Sequence, residues 1–182
     1  MCDNQNSGGR RRRRRRAGWA AAPALAAAAI AVPAQATELD RKALADALDD
    51  EYRAEASYQA VIDKFGPVRP FINIIEAEKR HSSMVRGQYA RLGMSAPENP
   101  YLGKLKPPAS LLEACEQGVE AEIENIALYD RLLPKITDPA VRQVLSRLQA
   151  ASRDNHLPAF KRCVARGGTP GRGPGGGGAG WQ

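Results

Sequence analysis

Four segments of this chain repeat their apolar residues at alternating spacings of three and four, and this period constrains the fold more than any other feature. Such spacing places one stripe of side chains on one face of an α-helix. Typical helix-terminal residues flank the segments: Thr37 begins the first, Gly66 follows its end, and Pro139 opens the fourth. We see no alternating β-branched run that predicts a strand. The chain is therefore expected to be all-α, with four helices.

The connections between these helices predict their topology. Helices one and two, like helices three and four, are joined by a few residues, so each pair should be antiparallel. Residues 94–109 join helices two and three, and about 16 extended residues reach about 50 Å. A helix of about 24 residues is about 36 Å long. The sequence therefore predicts a four-helix bundle with one long crossover between helices two and three.

The first 36 residues have the composition of an export signal. Seven arginines, Arg10 to Arg16, precede an Ala-rich apolar stretch and then Pro33-Ala34-Gln35-Ala36. A charged run, an apolar run and a small-x-small site predict a secretory signal, residues 1–36, cleaved after Ala36. The arginines also resemble a twin-arginine signal. We expect a periplasmic or secreted protein; the other interpretation is a start codon chosen too far upstream.

The rest of the chain is nearly neutral. Of 27 Lys and Arg and 20 Asp and Glu, residues 1–36 hold seven Arg and one acid, which leaves 20 bases against 19 acids, a net charge of +1. This balance excludes simple electrostatic binding of nucleic acid. The apolar stretch of the signal is short and interrupted by proline, so no stable membrane span is expected. We assign residues 37–166 to the bundle and 167–182 to a disordered Gly-rich tail.

Five polar residues fall on the apolar stripes, where the helical period places buried side chains. Carboxylates are almost never buried without partners. At 1.5 Å per residue, Glu51 lies about 21 Å from the end of helix one, and Glu122 about 17 Å from the end of helix three, at the opposite end of the bundle. Both heights lie near the middle of the bundle. The sequence therefore predicts either a metal site or a buried polar network formed by Glu51, Glu78, His81, Glu122 and His156.

The chain also repeats itself weakly. Glu51 is followed seven residues later by Tyr58, as Glu122 is by Tyr129. Together with Glu78-Lys79-Arg80-His81, this pattern resembles the ferritin-like superfamily, and rubrerythrin-like members in particular. Residues 71–81 and 151–160 look more like a prokaryotic ferritin-like family of unknown function. The resemblance covers residues 38–165. It implies a Glu from helices one and three, a Glu-x-x-His from helices two and four, and two iron or manganese ions.

One position departs from that pattern. Arg153 stands where the second Glu-x-x-His has its Glu, and a guanidinium cannot bind a metal. We expect Arg153 at the edge of the site, paired with Glu120 or Glu122, where its charge opposes a second cation. The remaining ligands suit one ion, or two with an open edge. Glu55, one turn after Glu51, is a reserve carboxylate.

Two cysteines remain after the signal is removed, Cys115 and Cys163. Disulfides persist outside the cytoplasm. The antiparallel register that places Glu122 opposite His156 also places Cys115 opposite Cys163. We therefore predict a disulfide between them, with two buried free thiols as the alternative.

Two functions follow from these features. The first is an exported ferritin-like metalloprotein that binds iron or manganese and carries out oxidative or peroxide-related chemistry. The second is a non-catalytic bundle with a degenerate metal site that acts in envelope stress or partner binding. The sequence leaves open whether the protein is an enzyme. A metal ion is the expected partner, with a homodimer as an open alternative to a monomer.

Overall fold

The computed structural model describes residues 36–169. The predicted signal, except Ala36, and the predicted tail beyond Thr169 lie outside the described residues. No described residue lies in a strand, so the all-α prediction is confirmed. The helices are α1, Glu38–Phe65; α2, Phe71–Arg91; α3, Leu111–Leu132; a 3₁₀ turn, Leu133–Lys135; α4, Pro139–Ala151; a π-helical turn, Ser152–His156; and α5, Leu157–Ala165. The last three run on from one another as the fourth helix of the bundle.

Helix α1 begins and ends at the residues that the sequence indicates. The Thr37 hydroxyl accepts a hydrogen bond from the Asp40 amide, and the Asp40 carboxylate accepts one from the Thr37 amide. This capping box satisfies two amides that the helix leaves unpaired. At the other end, Gly66 has φ of 80°, a conformation that glycine adopts without steric cost. Its amide bonds to the Ile62 carbonyl and closes the helix.

The crossover between α2 and α3 runs along α1. Near its start, Asn99 donates to the Tyr52 carbonyl at 3.0 Å, and the Tyr101 hydroxyl donates to Asp49 at 2.6 Å. Near its end, the Lys64 ammonium donates to the Pro108 carbonyl. Tyr52 and Lys64 lie several turns apart on α1, so the crossover covers much of its length. Helices α2 and α3 are therefore parallel, as predicted.

The fourth helix contains a π turn because of Pro158. Proline has no amide hydrogen, so the Asp154 carbonyl loses its usual donor, and the proline ring also crowds that carbonyl. The Leu157 amide instead bonds to the Ser152 carbonyl, five residues back. A proline at this position disturbs the preceding turn of a helix, and the irregular turn includes Asp154.

Two apolar clusters fill the bundle. The first contains Leu44, Leu48, Leu145 and Leu148, and the second contains Phe71 and Phe160 with the disulfide. On each helix the predicted site residue lies between positions of the first cluster and positions of the second. The polar residues therefore form a layer with an apolar cluster on each side.

The predicted disulfide is present. It joins Cys115 on α3 to Cys163 on α5, with the two Cα atoms 5.8 Å apart. This pairing is consistent with the register deduced for helices three and four.

The fourth helix ends in a Schellman motif formed by two glycines that the sequence assigned to the tail. The Gly167 amide bonds to the Val164 carbonyl, and the Gly168 amide bonds to the Cys163 carbonyl. Gly168 is buried against the backbone of Leu112. Within residues 36–169, no helix is both long and apolar enough to cross a membrane.

Candidate metal centre

The five predicted site residues come together in the middle of the bundle, and all five side chains are buried. Glu51 comes from α1, Glu78 and His81 from α2, Glu122 from α3, and His156 from the end of the π turn. The inward stripe of each helix directs its side chain into the polar layer. The five residues divide into two groups that could each hold an ion.

The first group lies between α1 and α2. The Nδ1 atom of His81 lies 2.9 Å from a carboxylate oxygen of Glu78 and 3.2 Å from one of Glu51. One potential ligand atom from each of these three residues lies within 4.8 Å of the others. An imidazole and two carboxylates therefore surround one position.

The second group lies between α2, α3 and the π turn. The Nδ1 atom of His156 lies 3.0 Å from the other carboxylate oxygen of Glu78 and 3.5 Å from Glu122. These three residues also bring ligand atoms within 4.8 Å of one another. Glu78 thus belongs to both groups and presents one oxygen to each histidine. The two imidazole rings stack with their centroids 5.5 Å apart.

Two buried tyrosines hold the outer carboxylates. The Tyr58 hydroxyl donates to Glu122 at 2.9 Å, and the Tyr129 hydroxyl donates to Glu51 at 2.8 Å. The repeat is therefore paired crosswise, because each tyrosine bonds to the glutamate of the other half of the chain. The spacing of seven residues after each Glu was the sequence signal for these contacts.

Burial and neighbouring charges both shift the pKa values of the carboxylates in this layer. Burial raises the pKa of Glu51 well above its ordinary value, and the negative charge of Glu78 adds to the rise. Burial also tends to raise the pKa of Glu78, but the neighbouring imidazoles of His156 and His81 outweigh it and hold that pKa at about 2. Glu78 is therefore ionised and is the anionic centre of the layer.

The donor set fits divalent first-row metal ions. Although His156 Nδ1 lies close to two carboxylates, it is buried and has no partner in hydrogen-bond geometry. A buried polar atom without a partner is costly, and an ion between the imidazole and the carboxylates would satisfy it. Mixed imidazole and carboxylate ligands suit iron and manganese.

Arg153 does not lie at the site, so that prediction is wrong. Its side chain is 56% exposed and pairs with Asp154 at 3.0 Å. The prediction assumed a regular α-helix, in which Arg153 and His156 share a face, whereas the wider π turn rotates Arg153 away from the site. Ser152, four residues before His156, is buried on the inward face. Neither Arg153 nor the reserve carboxylate Glu55 belongs to the two ligand groups.

Sequence reasoning missed a second polar chain beside the site. The buried Ser152 hydroxyl donates to Asn125 at 2.7 Å, and Asn125 donates through Nδ2 to Asp50. Asn125 follows Glu122 by three residues, which places both on one face of α3. That spacing was the sequence feature from which Asn125 could have been predicted to lie beside the site.

The fold is shared with solved structures of low sequence identity. A hypothetical protein from Methanococcus jannaschii DSM 2661 has a TM-score of 0.65 and 21% identity, covering 74% of this chain and 84% of its own. A conserved hypothetical protein from Mycobacterium tuberculosis has a TM-score of 0.58 and 17% identity, covering 70% of this chain and 91% of its own. A bacterioferritin from Mycobacterium tuberculosis has a TM-score of 0.60 and 17% identity, covering 72% and 87%.

At these identities the likeness shows the fold alone, and it confirms the predicted ferritin-like four-helix fold. No family model matches the chain, and no curated protein matches it at a significant level.

Proposed function

We propose that this protein binds two iron or manganese ions in the polar layer. The observation that carries the proposal is the position of Glu78, which presents one carboxylate oxygen to each of two Glu–His groups. Glu51 and His81 complete the first group, and Glu122 and His156 complete the second. A carboxylate shared in this way can bind two cations at once and offset part of their mutual repulsion.

The chain's own residues prepare the layer for oxidative or peroxide-related chemistry. Iron or manganese held by these residues would supply the redox change. The carboxylates would favour the higher charge of an oxidised metal, and the Nδ1 atoms would complete each group. Tyr58 and Tyr129 orient the outer carboxylates, since a second layer of hydrogen bonds holds metal ligands in place. An apolar cluster packs on each side of the layer.

We also propose that the protein acts outside the cytoplasm. The signal-like residues 1–36 support this location. The disulfide between Cys115 and Cys163 supports it independently, because disulfides persist in oxidising compartments.

One observation favours the alternative of a non-catalytic bundle. Without a metal, each histidine already lies within 3.0 Å of a Glu78 oxygen, and the five residues form a buried ionic network. Such a network can hold a bundle together without binding anything. In that case the protein acts through its surface, in envelope stress or partner binding.

Metal analysis of purified protein separates the two functions. Residues 37–182 should be produced with added iron or manganese, and metal content measured per chain, with about two ions expected. Glu78→Gln removes the shared carboxylate and should lose both ions. Glu76→Gln is the matched control, because Glu76 lies on the same helix but is exposed and pairs with Lys79. It should retain the parent's metal content.

The following combination of results would contradict metal binding. A metal content below about 0.1 per chain, with no rise in melting temperature when metal is added, would refute metal binding, since a ligand that binds the native state stabilises it. The buried network would then be the function of these residues.

A further inference from the structure

A cavity of about 90 Å³ lies beside the metal centre, between α1 and α3. Its inner wall includes the buried carboxylates of Glu78 and Glu122, which make up two thirds of the second ligand group. Exposed residues at its rim, Arg53, Ala121 and Glu124, connect it to the surface. The cavity has room for a few water molecules and leads from solvent to the ligands.

The charges around this cavity favour cations. Four carboxylates line it, against one guanidinium, that of Arg53. Arg53 is itself paired with Asp49 at 2.7 Å, so its charge is largely compensated. A cleft lined by one sign of charge concentrates ions of the opposite sign and speeds their entry.

Asp50 is held on the wall of this cavity by the polar chain beside the site. An ionised carboxylate can only accept hydrogen bonds, so Asn125 must present its NH₂ group to Asp50 and its oxygen to Ser152. The buried Ser152 hydroxyl therefore fixes the orientation of Asn125. Asn125 in turn fixes the half-buried carboxylate of Asp50, which belongs to neither ligand group.

We propose that this cavity is the entry path for hydrated divalent cations, and that Asp50 is the positioning residue that draws them toward Glu78 and Glu122. The proposal rests on the proposed function, because the path leads to the metal centre. The small side chains of Ala54, Ser57 and Ala121 leave the opening clear. Asp50 acts on the rate of entry and not on the final occupancy.

The test is the time course of Mn²⁺ uptake by metal-free protein, followed through the loss of the EPR signal of the free aqueous ion. Asp50→Asn removes the charge but keeps the size, and uptake should be about threefold to tenfold slower, within the range of electrostatic steering. The difference should shrink in about 0.5 M salt, where steering is screened. The final Mn²⁺ content should equal the parent's.

Two further variants complete the test. Ala121→Leu narrows the opening without changing charge, so it should slow uptake at both salt concentrations. Asp46→Asn is the matched control, because Asp46 lies one turn before Asp50 and pairs with Lys42 at the surface, away from the cavity lining. Its uptake rate should stay near that of the parent.

The outcomes distinguish this proposal from the one on which it rests. Full uptake at the parent's rate in both Asp50→Asn and Ala121→Leu would overturn the entry path and leave the metal centre standing. A lower final Mn²⁺ content in Asp50→Asn would show that Asp50 is a ligand and overturn its role as a positioning residue. No uptake by the parent would overturn both proposals.

Discussion

The two buried histidines are positively charged in the metal-free protein. Burial lowers the pKa of His81, but the carboxylates of Glu51 and Glu78 outweigh it and raise that pKa to about 9. Burial likewise opposes the charge of His156, whereas Glu122 and Glu78 raise its pKa to about 10. A nitrogen that binds a metal must be unprotonated, so metal binding must displace the Nδ1 proton of each imidazolium.

These raised pKa values predict how the stability of the metal-free protein depends on pH. A group whose pKa is higher in the folded state than its ordinary 6.5 stabilises the fold fully below that pH. This stabilisation is lost as the pH rises through about 9 and 10. We therefore expect the urea midpoint to fall between pH 7 and 10, and to fall less in His81→Asn. The same slope in parent and variant would contradict the charged state of His81.

At the scale of secondary-structure elements, the π turn decides which residues of the fourth helix face the site. It directs Ser152 and His156 inward and leaves Arg153 in solvent. Pro158, six residues after Ser152, therefore helps to decide which side chains of the fourth helix enter the polar layer.

The position of Arg153 predicts a small effect on metal binding. Surface substitutions away from special contacts change stability by less than about 0.5 kcal/mol. We expect Arg153→Glu to change Mn²⁺ affinity no more than Arg147→Glu, an exposed control on the same helix. Isothermal titration measures both. A much larger gain in affinity for Arg153→Glu alone would show that its side chain reaches the site in solution.

Helix α3 packs closely against α5 at Gly118. A Cβ added there would lie 2.6 Å from the ring of Phe160, which is fully buried and packed against Tyr58 and Phe71. Both of those rings and the added Cβ would have to share the contact with Phe160, so the glycine is required by packing.

We expect Gly118→Ala to lower the free energy of unfolding by about 1–3 kcal/mol, the usual cost of overpacking. Gly87→Ala is the control, because a Cβ at this exposed position of α2 has nothing within 4 Å. It should instead stabilise the protein by about 0.5–1 kcal/mol through helix propensity. Urea denaturation checks both; equal effects of the two variants would contradict the packing argument.

At the scale of the whole molecule, the polar layer separates two apolar clusters. A different kind of interaction connects the helices around each cluster. Beside the first cluster, the fully buried Asp40 carboxylate accepts hydrogen bonds from Thr137 and from the Asp138 amide, and so connects the start of α1 to the loop before α4. In the second, the disulfide connects α3 to α5. The two ends of the bundle are therefore held by a hydrogen-bond network and a covalent bond, respectively.

Reduction of this disulfide should destabilise the bundle. The cysteines are separated by 48 residues. Closing a loop of that size contributes at most about 4 kcal/mol in the chain-entropy model. We expect a lower urea midpoint in reductant, and no effect of reductant on a Cys115→Ala/Cys163→Ala variant. An unchanged midpoint in fully reduced parent protein would contradict the contribution of the bridge.

The sequence by itself determined the helices and their order. Helix period, capping residues and connection lengths are local properties, so Thr37, Gly66 and Pro139 mark boundaries that the structure reproduces. Antiparallel register follows from two short connections, and it brought Cys115 opposite Cys163. The five polar residues were found because a carboxylate or imidazole on an apolar stripe departs from the pattern around it.

Only the tertiary structure decided how those residues meet. A spacing of three predicted Arg153 at the site, but the turn before Pro158 has a different period, which the amino-acid pattern alone does not show. The sharing of Glu78, the crosswise tyrosines and the chain from Ser152 to Asp50 join residues on different helices. Such contacts depend on the rotation and height of each helix in the packed bundle.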